Sequence, residues 1–136
     1  MQSTGRPADI YVIDDQPIDN IIFKLLFKKY DDRLKIHVLD NAEAAIEDLK
    51  NTASNAPESF PGYIFLDLNM QKMDGWQFLQ EYERLGFNKL KRTQIFILSS
   101  SLYQKDLQKS QSNPLVRDFI SKPLRMERIH SILHPA

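Results

Sequence analysis

Tyr63-Ile64-Phe65-Leu66-Asp67-Leu68-Asn69-Met70 reads as a buried strand that ends on an acid. Its apolar run follows the turn pair Pro61-Gly62 and suits a short strand packed on both faces. Asp67 stands where that strand stops, and Met73-Asp74-Gly75 marks a turn before the next helix. In an open parallel sheet, ligands bind in the crevice beyond the carboxyl ends of the strands. One acid there is ordinarily a helix cap, so the weight falls on what the other strands carry at the same edge.

Working outward, Ile10 to Ile13 is a first strand that ends on Asp14-Asp15. Pro17 opens a helix in which Ile18, Ile21, Ile22, Leu25 and Leu26 recur at helical spacing and are expected to face the core. Leu34 to Leu39 alternates as a second strand, and Asp40-Asn41 starts a helix supported by Ala42, Ala45, Ile46 and Leu49. Asn51 to Gly62 is polar, holds Pro57 and Pro61, and is expected to be a long surface loop pinned by Phe60. Beyond the central strand, Trp76 to Leu85 makes an amphipathic helix closed by Gly86. Gln94 to Leu98 is a fourth strand running into Ser99. Tyr103 to Lys109 is the least apolar helix, and Asn113-Pro114 breaks it. Asp118 to Ile120 is a short fifth strand ending at Ser121-Lys122-Pro123, and Leu124, Ile129, Ile132 and Leu133 support a last helix. Five strands alternating with five helices imply an α/β fold: a doubly wound, five-stranded parallel sheet with helices on both faces.

Composition narrows the function classes. The chain has 136 residues, enough for one domain, read as a loose tail over 1–8 and a folded unit over 9–136. Lys+Arg and Asp+Glu both number 18, so no broad positive field for nucleic acid exists. Cysteine is absent, which excludes disulfides and thiolate metal sites. No apolar stretch has the length of a signal peptide or a membrane span, which makes a cytoplasmic location the expectation.

In a parallel sheet the strand ends share one edge. Asp14, Asp15 and Asp67 therefore converge there with the Ser99 hydroxyl and the Lys122 ammonium. Three dry, unpaired carboxylates repel one another by several kcal/mol, and a hard divalent cation relieves that repulsion. Oxygen ligands without Cys or His point to Mg²⁺. Phosphoryl chemistry suits such a site, and an Asp can itself carry the phosphoryl group.

Val12-Ile13-Asp14-Asp15, Leu66-Asp67-Leu68-Asn69-Met70 with Met73-Asp74-Gly75, Ile97-Leu98-Ser99-Ser100 and Phe119-Ile120-Ser121-Lys122-Pro123 together resemble a receiver domain of a two-component response regulator, of the single-domain, chemotaxis-regulator-like kind. The resemblance runs from about Asp9 to Leu133 and implies the flavodoxin-like receiver fold. It implies Asp67 as phosphoacceptor and Asp14, Asp15, Asp67 and the Asn69 backbone carbonyl as the Mg²⁺ set. Ser99 and Lys122 then contact the phosphoryl group, and Phe119 occupies the aromatic switch position. The family usually has a cis Lys-Pro bond at Lys122-Pro123. Gln71 stands where it usually has proline, and the loop over 51–62 is longer than usual.

The implied function is a stand-alone signalling receiver, with no output domain expected after the last helix. It takes a phosphoryl group from a sensor histidine kinase or histidine phosphotransfer protein. It is no enzyme beyond self-phosphorylation and self-dephosphorylation. It passes the signal to a protein target or to a phosphorylation-dependent homodimer, without nucleic acid or membrane. The expected output face is Tyr103–Lys109, Asp118–Ile120 and Leu124–Leu133. Two alternatives stand beside it. A small Mg²⁺-dependent aspartyl-phosphate phosphatase would need a second acid where Asn69 stands, and a pseudo-receiver scaffold would have lost the acids, Ser99 or Lys122.

Overall fold

The computed structural model describes residues 9–100 and 104–133. The expected tail over 1–8 and Tyr103 of the expected output face lie outside the described residues. Strands β1 (Asp9–Ile13), β2 (Lys35–Leu39), β3 (Tyr63–Asp67), β4 (Gln94–Ser99) and β5 (Val116–Ser121) form one sheet in the order β2-β1-β3-β4-β5. Every pairing is parallel, with Ile13 beside Leu66, Asp67 beside Leu98 and Ser99 beside Ser121. The described helices are α1 (Pro17–Tyr30), α2 (Ala42–Asn55), α3 (Gly75–Arg84), α4 (Phe87–Leu90), α5 (Gln104–Ser112) and α6 (Met126–Leu133). None of them is long and apolar enough to cross a membrane.

Alternation along the strands supplies two cores, one on each side of the sheet. Tyr11, Ile13, Ile64, Leu66, Ile95 and Ile97 point toward α2 and α3. Ile10, Val12, Phe65, Phe96, Leu98 and Ile120 point the other way, toward α1 and α6. Phe65 lies flat against Phe96 and is met from α1 by Phe27, with ring centroids 5.3 and 5.2 Å apart. The central strand is thus buried on both faces, as its unbroken apolar run requires.

Three expectations are corrected. The stretch over 51–62 is no long loop: α2 continues to Asn55, and a 3₁₀ turn over Pro57–Ser59 follows. Polar composition concealed this. The Thr52 hydroxyl bonds back to the Asp48 carbonyl, Ala53 packs on the core, and fully buried Phe60 meets Phe87 at 5.4 Å. The count of five helices also falls short, because Gly86 takes the left-handed conformation (φ 79°) and starts the extra turn α4, which buries Phe87. The third correction concerns α1. Its buried residues are Asn20, Phe23 and Phe27, whereas Ile18, Ile21, Ile22 and Leu25 are exposed and only Leu26 of the expected set packs inward. Both stripes have helical spacing, and the larger phenylalanines hide more apolar area.

Candidate functional site

Each side chain of the candidate site is delivered by the end of an element. Ile13 pairs with Leu66, so the next residues, Asp14 and Asp67, emerge side by side. Asp14 is fully buried and held at three points: its Oδ1 accepts from the Gln16 amide at 2.9 Å, its Oδ2 accepts from Lys122 Nζ at 2.8 Å, and its carbonyl accepts from Asn20 Nδ2 at 2.7 Å. Lys122 Nζ also donates to Asp19 Oδ2 at 2.8 Å and stands 3.8 Å from Asp67 Oδ2. That last gap is too long for a hydrogen bond. The ammonium is therefore parked on Asp14 and Asp19, beside the Asp67 oxygen.

The loop after β3 is shaped to present Asp67. The Asn69 amide points at Asp67 Oδ1 (3.3 Å), and Gly75 N–H donates to the Leu68 carbonyl. A Cβ on Gly75 would come within 2.8 Å of the Asp67 carbonyl oxygen and 2.9 Å of Leu68 Cα, so only glycine lets α3 begin this close to the strand end. Asp74 and Gln77 form a reciprocal capping box that fixes the start of α3. Lys72 adopts φ 63° in the turn between, a conformation that L-residues adopt at a cost. The Lys122-Pro123 bond is cis, as expected.

The electrostatics follow from burial. Asp67 is 4% exposed. Its burial, reinforced by the charges of Asp14 and Asp15, pushes its carboxyl up to about 6, although Lys122 and the Asn69 amide pull the other way. Burial alone would lower the pKa of Lys122. The hydrogen bonds to Asp14 and Asp19, with the charges of Asp67 and Asp14, outweigh burial and raise it. One oxygen from each of Asp14, Asp15 and Asp67 lies within 4.8 Å of the others. Such an all-oxygen, net negative donor set fits a hard divalent cation. A cleft of about 320 Å³ opens beside it, lined by Asp15, Asn41, Met70 and Lys72 among others.

The expected residues assemble with one difference in grade. Ser99 is fully buried at the end of β4, where its carbonyl accepts from the Lys122 amide at 2.9 Å. Phe119 is half-buried against the α2–α3 core and pairs in register with Ile97, so it borders the site without entering it. Two contributors escaped the sequence reading. Asp19 shares the lysine, and buried Asn20 anchors the Asp14 backbone. The spacing Asp15-x-x-x-Asp19 across the first turn of a Pro-started helix was the available signal for the first. Asn20 carried none, because a polar residue in an apolar stripe shows its partner only in three dimensions.

The chain is similar to known proteins in sequence and in structure. Over 136 residues the chain is 27% identical to the sensor histidine kinase CheAY of Helicobacter pylori; the match takes in 97% of this chain and 15% of that kinase. A two-component response regulator from Cytophaga hutchinsonii superposes with a TM-score of 0.83 at 25% identity, covering 93% of this chain and 95% of that one. The Mn²⁺-bound response regulator Rcp1 has the same fold, with a TM-score of 0.77 at 23% identity over 96% of this chain and 97% of its own. Residues 10–134 match the response regulator receiver domain, and the chain belongs to that family.

Proposed function

We propose that this domain is a phosphoacceptor that takes a phosphoryl group from a phosphohistidine-bearing protein onto Asp67. The observation that carries the proposal is the place of the buried Asp67 carboxylate: its Oδ2 is 3.8 Å from Lys122 Nζ, and one of its oxygens lies within 4.8 Å of an oxygen of Asp14 and of Asp15. An Asp67 carboxylate oxygen attacks phosphorus. The P–N bond to the donor imidazole breaks, and its electron pair stays on the ring nitrogen. Hydrolysis later returns the carboxylate as water attacks phosphorus and the acyl-phosphate P–O bond breaks. A carboxyl with a pKa near 6 is mostly ionised at neutral pH, as a nucleophile needs.

Asp14, Asp15, Asp67 and the Asn69 carbonyl are the groups that would hold Mg²⁺, which neutralises phosphoryl oxygens when bound. Lys122 supplies a mobile point charge. Its ammonium exchanges Asp19 for an incoming phosphoryl oxygen while keeping Asp14. Ser99 donates its hydroxyl to a second phosphoryl oxygen, and Phe119 follows into the space vacated behind it. Burying a phenylalanine there leaves no hydroxyl unsatisfied. The change then reaches α5 and β5, which form the output face toward a protein target.

The test is labelling with acetyl phosphate in Mg²⁺, which releases acetate as the Asp67 acyl phosphate forms, with the site mapped by mass spectrometry. Modification is expected at Asp67 alone. Asp67→Asn abolishes it, and Asp15→Asn slows it by weakening the cation site. Label retained in Asp67→Asn and mapped to another residue contradicts the assignment.

A further inference from the structure

Asp19 stands in the first turn of α1, where an acid is ordinarily explained by the positive end of the helix dipole. Its carboxylate does more than that here. It accepts a 2.8 Å hydrogen bond from Lys122 Nζ, a partner 103 residues away in the chain. A lysine ammonium carries several N–H donors that turn with its flexible stem. One is engaged by Asp14 and one by Asp19, each at 2.8 Å, and Asp67 Oδ2 is left at 3.8 Å. The Lys122 backbone is fixed, because its amide donates to the Ser99 carbonyl at 2.9 Å. Where the ammonium rests is therefore decided by the carboxylates around it.

Those carboxylates are unequal partners. Asp14 is fully buried and its other oxygen accepts from the Gln16 amide, so releasing the lysine would leave a dry, unpaired charge. The Asp19 side chain is 33% exposed, and water takes the place of the lysine there at little cost. We propose that Asp19 is a positioning residue: it holds the Lys122 ammonium off Asp67 in the empty site, and so biases that site toward the cation and against the phosphoryl group. This role rests on the phosphoacceptor reading and adds to it a side chain that sets the balance between the two ligands. With the ammonium drawn toward α1, the oxygens of Asp14, Asp15 and Asp67 keep their net negative charge for the cation. Without the Asp19 charge, the ammonium closes the 3.8 Å gap to Asp67 Oδ2 and opposes the cation. An anion in the phosphoryl position gains by the same change. It meets an ammonium with one competitor fewer, and one like charge has gone from its surroundings. A single side chain thus acts with opposite sign on the two ligands, which an acid serving only the helix dipole does not.

The experiment uses the full chain and Asp19→Asn, which keeps the shape of the side chain and removes its charge. The Mg²⁺ dissociation constant, measured by calorimetry with no phosphoryl mimic present, should rise about three- to ten-fold. The beryllofluoride dissociation constant in saturating Mg²⁺, followed by fluorine NMR of the bound species, should fall by about the same factor. Asp19→Glu restores the charge and should bring both constants back toward wild type. In a Lys122→Gln background, Asp19→Asn should tighten beryllofluoride by less than about two-fold, because the coupling runs through the ammonium. Should Asp19→Asn fail to fold, Asp19→Ser carries the same measurements. Both ligands weakened together, both constants unchanged, a Glu variant that behaves like Asn, or full tightening without Lys122 overturns the role. If the wild type labels at Asp67 and Asp19→Asn moves neither constant, the role of Asp19 falls and the phosphoacceptor reading stands. A wild type that neither labels at Asp67 nor binds beryllofluoride removes the phosphoacceptor reading and this role with it.

Discussion

A carboxylate that is buried next to two others is held at a cost, and Asp67 is such a group. Its carboxyl is pushed from 3.8 up to about 6 by burial first and by Asp14 and Asp15 after. The folded state therefore binds the Asp67 proton more tightly than the unfolded chain does. Below about pH 4 both states hold that proton and the cost is absent. Between the two values the native state alone holds it, so stability falls as pH rises, and above the folded value the whole cost is present. About two pKa units correspond to roughly 3 kcal/mol. In cation-free buffer at pH 8, Asp67→Asn should thus stabilise the protein by up to about 3 kcal/mol. The gain should fade as pH falls from 6 toward 4. Urea denaturation of both proteins at pH 4, 6 and 8 measures it, and a gain that does not change with pH contradicts the electrostatic cause. Asp14, Asp15, Asp67, Ser99 and Lys122 were legible as one candidate cluster because each ends or directly follows a strand of one parallel sheet. Asp19 and Asn20 were not, because their work is done toward partners 103 and 6 residues away that only the fold brings near.

At the scale of elements, periodicity located every strand and most helices, but it does not decide which of two apolar stripes on α1 turns inward. It also could not extend α2 through Asn51–Asn55, where polar residues hold the helix by local bonds such as Thr52 to the Asp48 carbonyl. The element of greatest functional interest is α5, which follows β4 and Ser99 in the chain. Its side chains reach α3 through Trp76: the indole N–H lies 3.4 Å from Asp106 Oδ1, and Lys109 Nζ sits 5.0 Å from the ring centroid. A charge-assisted contact and a cation over the ring hold α5 in place, each worth about 1 kcal/mol. A shift of α5 on modification of Asp67 must disturb both. Trp76 is the one tryptophan, so tryptophan-selective fluorescence reports its surroundings, this contact included. Beryllofluoride with Mg²⁺ should produce a saturable change in intensity or emission maximum. The change should vanish in Asp67→Asn and weaken in Asp106→Ala. An unaltered spectrum with acetyl phosphate and Mg²⁺, while mass spectrometry shows Asp67 phosphorylated, rules α5 out as the moving element.

For the whole molecule, the site is a meeting point of the sheet rather than a feature of one loop. Asp14 and Asp15 follow β1, Asp67 ends β3, Ser99 ends β4, and Lys122 follows β5. The same strands separate the two cores, so the register that brings the acids together is the register that closes both hydrophobic layers. A cation held by Asp14, Asp15 and Asp67 therefore binds the native fold and has no counterpart in the unfolded chain. Binding of that kind stabilises by about 2.7 kcal/mol at one hundred times the dissociation constant. For a domain of this size that corresponds to a rise in Tm of roughly 5–10 °C. Saturating Mg²⁺ should give such a rise in thermal melts, and a chelator should reverse it. Asp15 is half-buried, and the Lys122 ammonium is held instead by Asp14 and Asp19, beside Asp67. Asp15→Asn should consequently leave the cation-free Tm within about 2 °C of wild type while losing most of the Mg²⁺ increment. Because β1 and β3 are central, the increment should appear equally in far-UV circular dichroism and in Trp76 fluorescence. A Mg²⁺ shift that survives Asp15→Asn, or that appears in one probe only, would place the cation elsewhere and detach it from the sheet edge.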